Sequence, residues 1–191
     1  MRFIKNVDMP LNQQDSLNNS RRLFHISEDP GIAVFEPRPS PSNFEALTGD
    51  CVYAISGKLL HNYLLPRDCP RVTYYLNNVT TDEDKDKFFG ASCADNVVIV
   101  ESRWFQRILD TKLYCYEFSP VNFTLLDECA QYYVSYKPET PLSVTTINNA
   151  IHELLCRNIE LRFTPSLIDI GNSVAVSGLN FSMIRMRNVK G

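Results

Sequence analysis

The segment from Arg22 to Ser27 restricts the fold of this chain more than any other. Apolar and polar residues alternate in it, as along a β-strand, so His25 and Ser27 are predicted to share one face. The backbone then turns at Glu28–Gly31, and the proline-rich segment Pro37–Ser42 follows, in which each proline ring fixes φ. We therefore predict a histidine-bearing strand beside a stiff polar loop, an arrangement suited to contacting a ligand.

Short segments with strand-like and helix-like patterns follow one another along the rest of the chain. Segments rich in aromatic and β-branched residues predict strands at Cys51–Ile55, Arg71–Leu76, Asn96–Val100, Lys112–Phe118, Gln131–Tyr136, Ile159–Phe163 and Leu179–Met186. Apolar periodicity and capping residues predict helices over 57–65, 81–90, 102–109 and 147–158, with Thr81 and Thr146 as caps. This mixture predicts one α+β domain over 22–191, with a curved or split mixed sheet and short flanking helices.

Charge and hydropathy narrow the classes of function. The net charge of −3 argues against nucleic-acid binding, because phosphate backbones are recognised by clustered lysine and arginine. No apolar run approaches the roughly 20 residues that cross a bilayer, and residues 1–20 lack the apolar core of a signal peptide. We expect a cytoplasmic protein with no membrane partner, whose polar residues 1–21 form a mobile N-terminal tail.

The six cysteines are spread along the chain without a C-x-x-C pair. Structural zinc ligands normally come in closely spaced pairs, and disulfides are rare in cytosolic proteins of this length. We therefore predict reduced cysteines and no metal site. Cys115, between two tyrosines, and Cys156, after two leucines, are in core-like settings.

His25 and Ser27 are the first candidates for a binding site. An imidazole on a strand can hydrogen-bond a ligand hydroxyl or act as an acid or base near neutral pH. The alternative for His25 is a bond to a neighbouring carbonyl that holds the following loop. The alternative for Ser27 is a turn-initiating serine.

Arg67 and Arg71 bracket a turn that is fixed by proline, and they are the second pair of candidates. Guanidinium groups held in this way suit a phosphate or a carboxylate, which each can grip with two hydrogen bonds. The alternative is an ion pair with Asp68 that orders the loop. Arg38 would join this group if the proline-rich loop folds over it.

Other reactive or charged side chains each have a functional and a structural interpretation. Cys69 would be a nucleophile if the flanking arginines lowered its pKa. Glu101 and Glu117 are predicted at strand ends, where catalytic carboxylates often occur, although most such glutamates are simply solvated. Arg185 and Arg187 are predicted on one face of the last strand, as ligand-binding groups or as members of surface ion pairs.

Four longer segments, Leu23–Ser27, Phe35–Ser42, Asn62–Thr73 and Phe181–Asn188, resemble a family of uncharacterised bacterial proteins of unknown function. The resemblance covers about 22–189. It implies a bacterial origin and brings no assigned reaction.

Two short motifs carry a more distant resemblance. Phe24–Ser27 is similar to the aromatic-His-x-Thr/Ser motif of ADP-ribosyltransferases and of the RNA 2′-phosphotransferases related to them. Val52–Ser56 resembles their second, aromatic-bearing strand. In those families the histidine and hydroxyl hold the ribose of NAD or its equivalent, and the aromatic side chain stacks on nicotinamide. The resemblance implies these roles for His25, Ser27 and Tyr53.

The same families carry a third element, an acidic or polar residue on a later strand. Glu117, Tyr133 and Ser135 are alternatives for it, and Glu117 is the predicted catalytic residue. The predicted binding residues are His25, Ser27, Tyr53, Arg67 and Arg71.

We therefore expect a domain similar to ADP-ribosyltransferases that binds NAD or another small phosphorylated nucleotide. The alternative is a non-catalytic domain for ligand sensing or protein interaction. A cleft shared by His25, Tyr53 and Arg71 would favour the first function. A flat apolar patch, with His25 bonded inward, would favour the second.

Overall fold

Two β-sheets and four short α-helices make up residues 22–40 and 46–190, the part of the chain that the computed structural model describes. The strands are β1 Leu23–Ser27, β2 Val52–Ser56, β3 Arg71–Tyr75, β4 Asn96–Glu101, β5 Leu113–Phe118, β6 Thr124–Asp127, β7 Tyr132–Ser135, β8 Ser143–Ile147, β9 Ile159–Thr164 and β10 Asn180–Ile184. The α-helices are α1 Asp82–Phe88, α2 Phe105–Asp110, α3 Ala150–Cys156 and α4 Ile168–Ala175. Short 3₁₀ helices cover Gly57–Tyr63, Ser102–Trp104, Pro120–Asn122 and Met186–Asn188. The tail predicted over 1–21 lies outside the described residues.

The larger sheet has six strands in the order β6-β7-β2-β1-β5-β8, and all its pairings are antiparallel. Strand β1, which carries His25 and Ser27, is an inner strand of this sheet, between β2 and β5. Leu23 and Phe24 are both buried, and as neighbours on a strand they point to opposite faces. Leu23 packs with Phe118, and Phe24 packs in a different apolar cluster, so both faces of β1 are covered.

The smaller sheet has four strands in the order β10-β3-β4-β9, of which β4 and β9 are parallel. Val98 and Val100 of β4 belong to one buried cluster, and Val97 and Ile99 belong to another. An unbroken apolar run fits a strand that is covered on both faces. The single α+β domain with a split, mixed sheet that the sequence predicts is therefore confirmed.

The cap predicted at Thr81 is confirmed, because its side-chain oxygen accepts a hydrogen bond from the backbone N–H of Asp84 at 3.1 Å. A helix forms within the predicted span 147–158, but its predicted start at Ile147 with Thr146 as its cap is wrong. Both residues belong to β8, which pairs with β5, and α3 begins at Ala150 after an Asn149 cap. Pairing with a neighbouring strand has overridden the local capping signal.

Two further predictions need correction. The segment 57–65 is helical only as a 3₁₀ helix that is kinked at Leu59. Cys115 is buried as predicted, but Cys156 is exposed. Cys156 follows the buried Leu154 by two positions, which is more than half a helical turn, so it faces away from the core.

All six cysteines lie in the described part of the chain and are free thiols. Within residues 22–40 and 46–190, no helix has both the length and the apolar character needed to cross a bilayer.

Candidate functional site

A cleft of about 660 Å³ is lined by residues of both sheets, and this volume is typical of small-molecule sites. His25 and Ser27 of β1, Tyr53 of β2, Arg67 of the loop before β3 and Arg71 at the start of β3 all line it. These five residues span almost 50 positions, and the pairing of β1 with β2 brings two of the segments together. The structure therefore collects every residue that the sequence predicts for binding.

His25 is held by the backbone and faces the cleft. Its Nδ1 lies 2.9 Å from the carbonyl oxygen of Tyr53. Because a carbonyl can only accept, Nδ1 carries the proton, and Nε2 of the neutral ring is an acceptor. Burial lowers the pKa of His25 below its ordinary value, and the nearby charges of Arg67 and Arg38 lower it further. At neutral pH, His25 thus offers a hydrogen-bond acceptor that suits a ligand hydroxyl.

Ser27 has a local structural role as well as a position in the cleft. Its side-chain oxygen accepts a hydrogen bond from the backbone N–H of Asp29 at 3.1 Å, as in a turn-initiating serine. The hydroxyl proton is not used in that bond and can be donated to a ligand.

The proline-rich loop folds against β2, and this brings Arg38 to the cleft. Arg38 and Cys51 exchange two backbone hydrogen bonds, of 3.1 and 3.0 Å. The Tyr53 hydroxyl lies 2.6 Å from the side-chain oxygen of Ser40. Burial raises the pKa of Tyr53, so its phenol stays neutral. Because the loop folds over in this way, Arg38 joins Arg67 and Arg71 in the cleft lining, as predicted.

Arg71 is the most unusual charge in the cleft, because it is only 2% exposed. Its Nε donates to the Asn62 carbonyl at 2.9 Å, and its Nη1 donates to the carbonyls of Cys69 at 2.8 Å and Pro66 at 3.2 Å. Its Cζ lies 5.4 Å from the ring centre of Tyr63. No carboxylate pairs with Arg71 in the described residues, and its Nη2 has no acceptor there. A buried cation without a counter-ion is costly, and an anion in the cleft would offset that cost.

The loop that carries Arg67 is fixed from the side of β1. Glu28 accepts a hydrogen bond from the backbone N–H of Arg67 at 2.8 Å, and its other oxygen pairs with Arg107 at 2.7 Å. Within the described residues, no ion pair joins Asp68 to Arg67 or Arg71, so the ion pair considered as the alternative role of these arginines is not formed. The Arg67 guanidinium is exposed at the cleft.

Positive charge is concentrated in the cleft although the whole chain is acidic. The described lining includes five arginines, Arg38, Arg67, Arg71, Arg185 and Arg187, and three carboxylates, Glu28, Glu36 and Asp68. Glu28 is already paired with an arginine outside the cleft. A concave site with this balance attracts anions and raises their local concentration.

Two tyrosines that line the cleft, Tyr63 and Tyr132, are not among the site residues predicted from the sequence. The hydroxyl of Tyr63 donates to that of Tyr132 at 2.9 Å, and the ring centres lie 6.1 Å apart. The apolar periodicity of 57–65 predicts a helix and gives no sign that Tyr63 lines a cleft. Tyr132 reaches the cleft because β7 pairs with β2, where it lies opposite Ile55, and no local pattern reveals that pairing.

Glu117, the predicted catalytic residue, lies outside the cleft lining. Its two oxygens accept hydrogen bonds from Nε and Nη2 of Arg22, both at 2.7 Å. The hydrogen bond from Arg22 holds the pKa of Glu117 below its ordinary value. The other two alternatives for the third element, Tyr133 and Ser135, are also absent from the lining. The structure therefore brings the binding residues together and leaves these three apart.

The surroundings of two further candidates, Cys69 and Glu101, favour a structural role for each. Cys69 is completely buried, and burial raises the pKa of its thiol to about 12. A thiol of this kind is protonated and inaccessible at neutral pH, so the hypothesis of a nucleophile at Cys69 is wrong. Glu101 is also fully buried and pairs with Arg103 at 2.8 Å. Among the described residues, no group of three histidine, cysteine or acidic side chains could hold a metal ion.

Together these features define an α+β domain with an arginine-lined cleft. Residues 24–189 match the model of a protein family that is described as "Family of unknown function (DUF6886)". The chain belongs to this family, and its predicted membership of an uncharacterised family is confirmed. No curated protein and no solved structure matches this chain.

Proposed function

We propose that the cleft binds a phosphorylated nucleotide, with NAD as the first ligand to test. The observation that carries this proposal is the convergence of His25, Tyr53 and the buried Arg71 on one cleft. A nucleotide combines hydroxyl, aromatic and phosphate groups, and the lining offers a complementary group for each of them. The resemblance of Phe24–Ser27 to the first motif of ADP-ribosyltransferases favours NAD among such ligands.

Each lining group has a role that follows from its state at neutral pH. The Nε2 atom of His25 accepts a hydrogen bond from a ribose hydroxyl, and the hydroxyl of Ser27 donates to a ribose oxygen. The ring of Tyr53 offers a face on which a nicotinamide or a base can stack. Arg67 and Arg71 bind the phosphates through charge-assisted hydrogen bonds.

Transfer of ADP-ribose is the reaction that the resemblance suggests for this site. It breaks the bond between the ribose C1′ and nicotinamide and forms a new bond from C1′ to an acceptor. A carboxylate near the reacting centre would stabilise the positive charge that develops on the ribose. Glu117 is paired with Arg22 outside the cleft, and of the carboxylates in the lining Glu36 and Asp68 have no ion pair within the described residues.

A second function, ligand sensing without chemistry, is favoured by that same position of Glu117. In a sensor, the cleft would bind the nucleotide through the same histidine and arginines and leave it intact. The two functions differ in one measurable product, which is free nicotinamide.

The test is titration calorimetry with NAD and with ADP-ribose, followed by chromatography for released nicotinamide. We expect both ligands to bind, and His25→Ala to weaken binding about tenfold through loss of one hydrogen bond. His152→Ala is the matched control, because His152 is an exposed histidine on α3 outside the cleft lining. Absence of heat with both ligands, or equal effects of the two variants, would overturn the proposal. Binding without nicotinamide release would decide for the sensor.

A further inference from the structure

The chain after β10 forms one wall of the cleft. Arg185 donates from Nε to the carbonyl of Arg67 at 3.2 Å, and Asn188 donates from Nδ2 to the carbonyl of Asp68 at 2.7 Å. Both acceptors belong to the loop that carries Arg67. The C-terminal segment, defined here as residues 185–190, therefore lies across this loop.

The far end of the C-terminal segment is anchored as well. The backbone N–H of Lys190 donates to the buried carboxylate of Glu101 at 3.0 Å, and Arg103 joins that carboxylate to the carbonyl of Asn188. On its other side, the loop is held by Glu28. The loop is thus clamped from two directions, and such preorganisation lowers the entropy cost of binding a ligand.

Arg185 adopts a backbone conformation that arginine rarely takes. Its φ is +56°, at the turn from β10 into the 3₁₀ helix Met186–Asn188. Glycine adopts this left-handed region without cost, whereas a side chain with a Cβ is disfavoured there. An arginine at such a turn suggests that its side chain is needed, since residues in sparsely populated backbone regions cluster at functional sites.

The guanidinium of Arg185 has hydrogen-bond donors to spare and lines the same cleft as Arg71. Only its Nε is used within the described residues, which leaves Nη1 and Nη2 for a ligand. Burial lowers the pKa of Arg71, and the charge of Arg185 lowers it further. Two guanidinium groups in one cleft repel each other, and an anion bound between them offsets that repulsion.

We propose that Arg67, Arg71 and Arg185 form one anion subsite that binds a diphosphate group, with the third cation supplied by the C-terminal segment. The inference rests on the proposed function in that the ligand is phosphorylated. Three cations match a diphosphate better than a phosphodiester, which carries a single negative charge. The subsite deepens the proposed function by naming the ligand group at this end of the cleft.

The main test is calorimetry with inorganic pyrophosphate at low ionic strength. Arg185→Gln keeps a hydrogen-bond donor for the Arg67 carbonyl and removes the charge. We expect it to weaken pyrophosphate binding about tenfold or more, with an unchanged unfolding temperature. Arg157→Gln is the matched control, because Arg157 is exposed and lies outside the lining, and it should bind as the wild type does.

A second pair of variants separates the backbone from the side chain. Arg185→Gly and Arg185→Ala both remove the guanidinium and should lose pyrophosphate affinity equally. The glycine variant should unfold at a temperature about 2 °C or more above that of the alanine variant, because glycine tolerates the positive φ. Alanine as stable as glycine would contradict the left-handed assignment on which the need for the side chain rests.

The outcomes for this subsite and for the nucleotide proposal can be told apart. No pyrophosphate binding by the wild type, or equal affinity in Arg185→Gln, overturns the subsite even if NAD binds. Pyrophosphate binding that depends on Arg185, together with no heat from NAD and ADP-ribose, supports the subsite and overturns the nucleotide proposal.

Discussion

Arginine occurs in two contrasting surroundings in this molecule. At the corner where β1 meets β5, Arg22 forms a two-bond ion pair with Glu117 although its side chain is 50% exposed. In the cleft, Arg71 is 2% exposed, yet it bonds only to backbone carbonyls within the described residues. Arg71, the more deeply buried of the two arginines, is thus the one that has no carboxylate partner within the described residues.

This contrast separates a charge that is paired within the protein from one that is available to a ligand. An exposed pair such as Arg22–Glu117 satisfies itself and contributes little to stability. A buried arginine that lacks a counter-ion keeps its positive field, and the low dielectric around it strengthens its attraction for an anion. The state of pairing, more than the residue type, therefore indicates where a ligand would bind.

The largest expected difference between the two regions is in stability. Arg71→Ala leaves three buried carbonyls without their donor, and we expect it to lower the free energy of unfolding by about 3 kcal/mol or more. Arg22→Ala should lower it by less than about 1 kcal/mol. Urea unfolding of both variants checks this order, and equal losses would show that Arg71 does not organise the loop before β3.

The two regions should also respond to acid in different pH ranges. In the folded protein the pKa of His25 lies below its ordinary value of 6.5. The stability that neutral His25 contributes is therefore complete above pH 6.5 and is lost as the pH falls below that value. The pKa of Glu117 is also lowered, from its ordinary value of 4.5. Its contribution to stability is complete above pH 4.5 and is lost only below that pH. Urea unfolding as a function of pH, for His25→Gln and Glu117→Gln against the wild type, separates the two contributions.

His61 provides the background in that experiment. It is buried, and burial lowers its pKa to about 4, so it destabilises the folded state in acid in every one of these proteins. The difference curve for His25→Gln should therefore change below pH 6.5, and that for Glu117→Gln should stay flat until about 4.5. A Glu117→Gln curve that changed near pH 6 would contradict the pairing described for the corner.

The smallest expected effect concerns ligand binding at the corner. Glu117→Gln should leave the affinity for ADP-ribose unchanged, because Glu117 is outside the cleft lining and bonds to Arg22. Calorimetry on this variant checks the affinity, and chromatography checks nicotinamide release. If Glu117→Gln bound ADP-ribose normally but released no nicotinamide, Glu117 would have the catalytic role that the resemblance suggests.

The sequence predicts those parts of the fold that depend on local patterns. Strands are expected from the alternation in Arg22–Ser27, the aromatic and β-branched residues in Cys51–Ile55 and the apolar run in Asn96–Val100. The structure has strands there, at Leu23–Ser27, Val52–Ser56 and Asn96–Glu101. The proline-fixed turn between Arg67 and Arg71 also has a local signal, and both arginines line the cleft.

The position of Glu117 depends on strand register, which local patterns do not determine. In the pairing of β1 with β5, Phe24 lies opposite Glu117 and His25 lies opposite Tyr116. Neighbouring residues on a strand point to opposite faces, so Glu117 projects away from the face of His25. A register shifted by one residue would have placed them on the same face.

The C-terminal end of the site illustrates a second limit. Leu179–Met186 has the alternation of a strand, but β10 ends at Ile184 and the chain turns at Arg185. The prediction that Arg185 and Arg187 share a face of a strand is therefore wrong. A left-handed turn at an arginine has no sequence signal, because the usual marker of such a turn is glycine.

The most direct test of the account is a crystal structure of the protein grown with ADP-ribose. We expect the ligand in the cleft, with phosphate oxygens at about 2.7–2.9 Å from Nη2 of Arg71 and a ribose hydroxyl within hydrogen-bond distance of Nε2 of His25. An ADP-ribose molecule bound elsewhere on the protein, or an empty cleft at a saturating concentration, would contradict it.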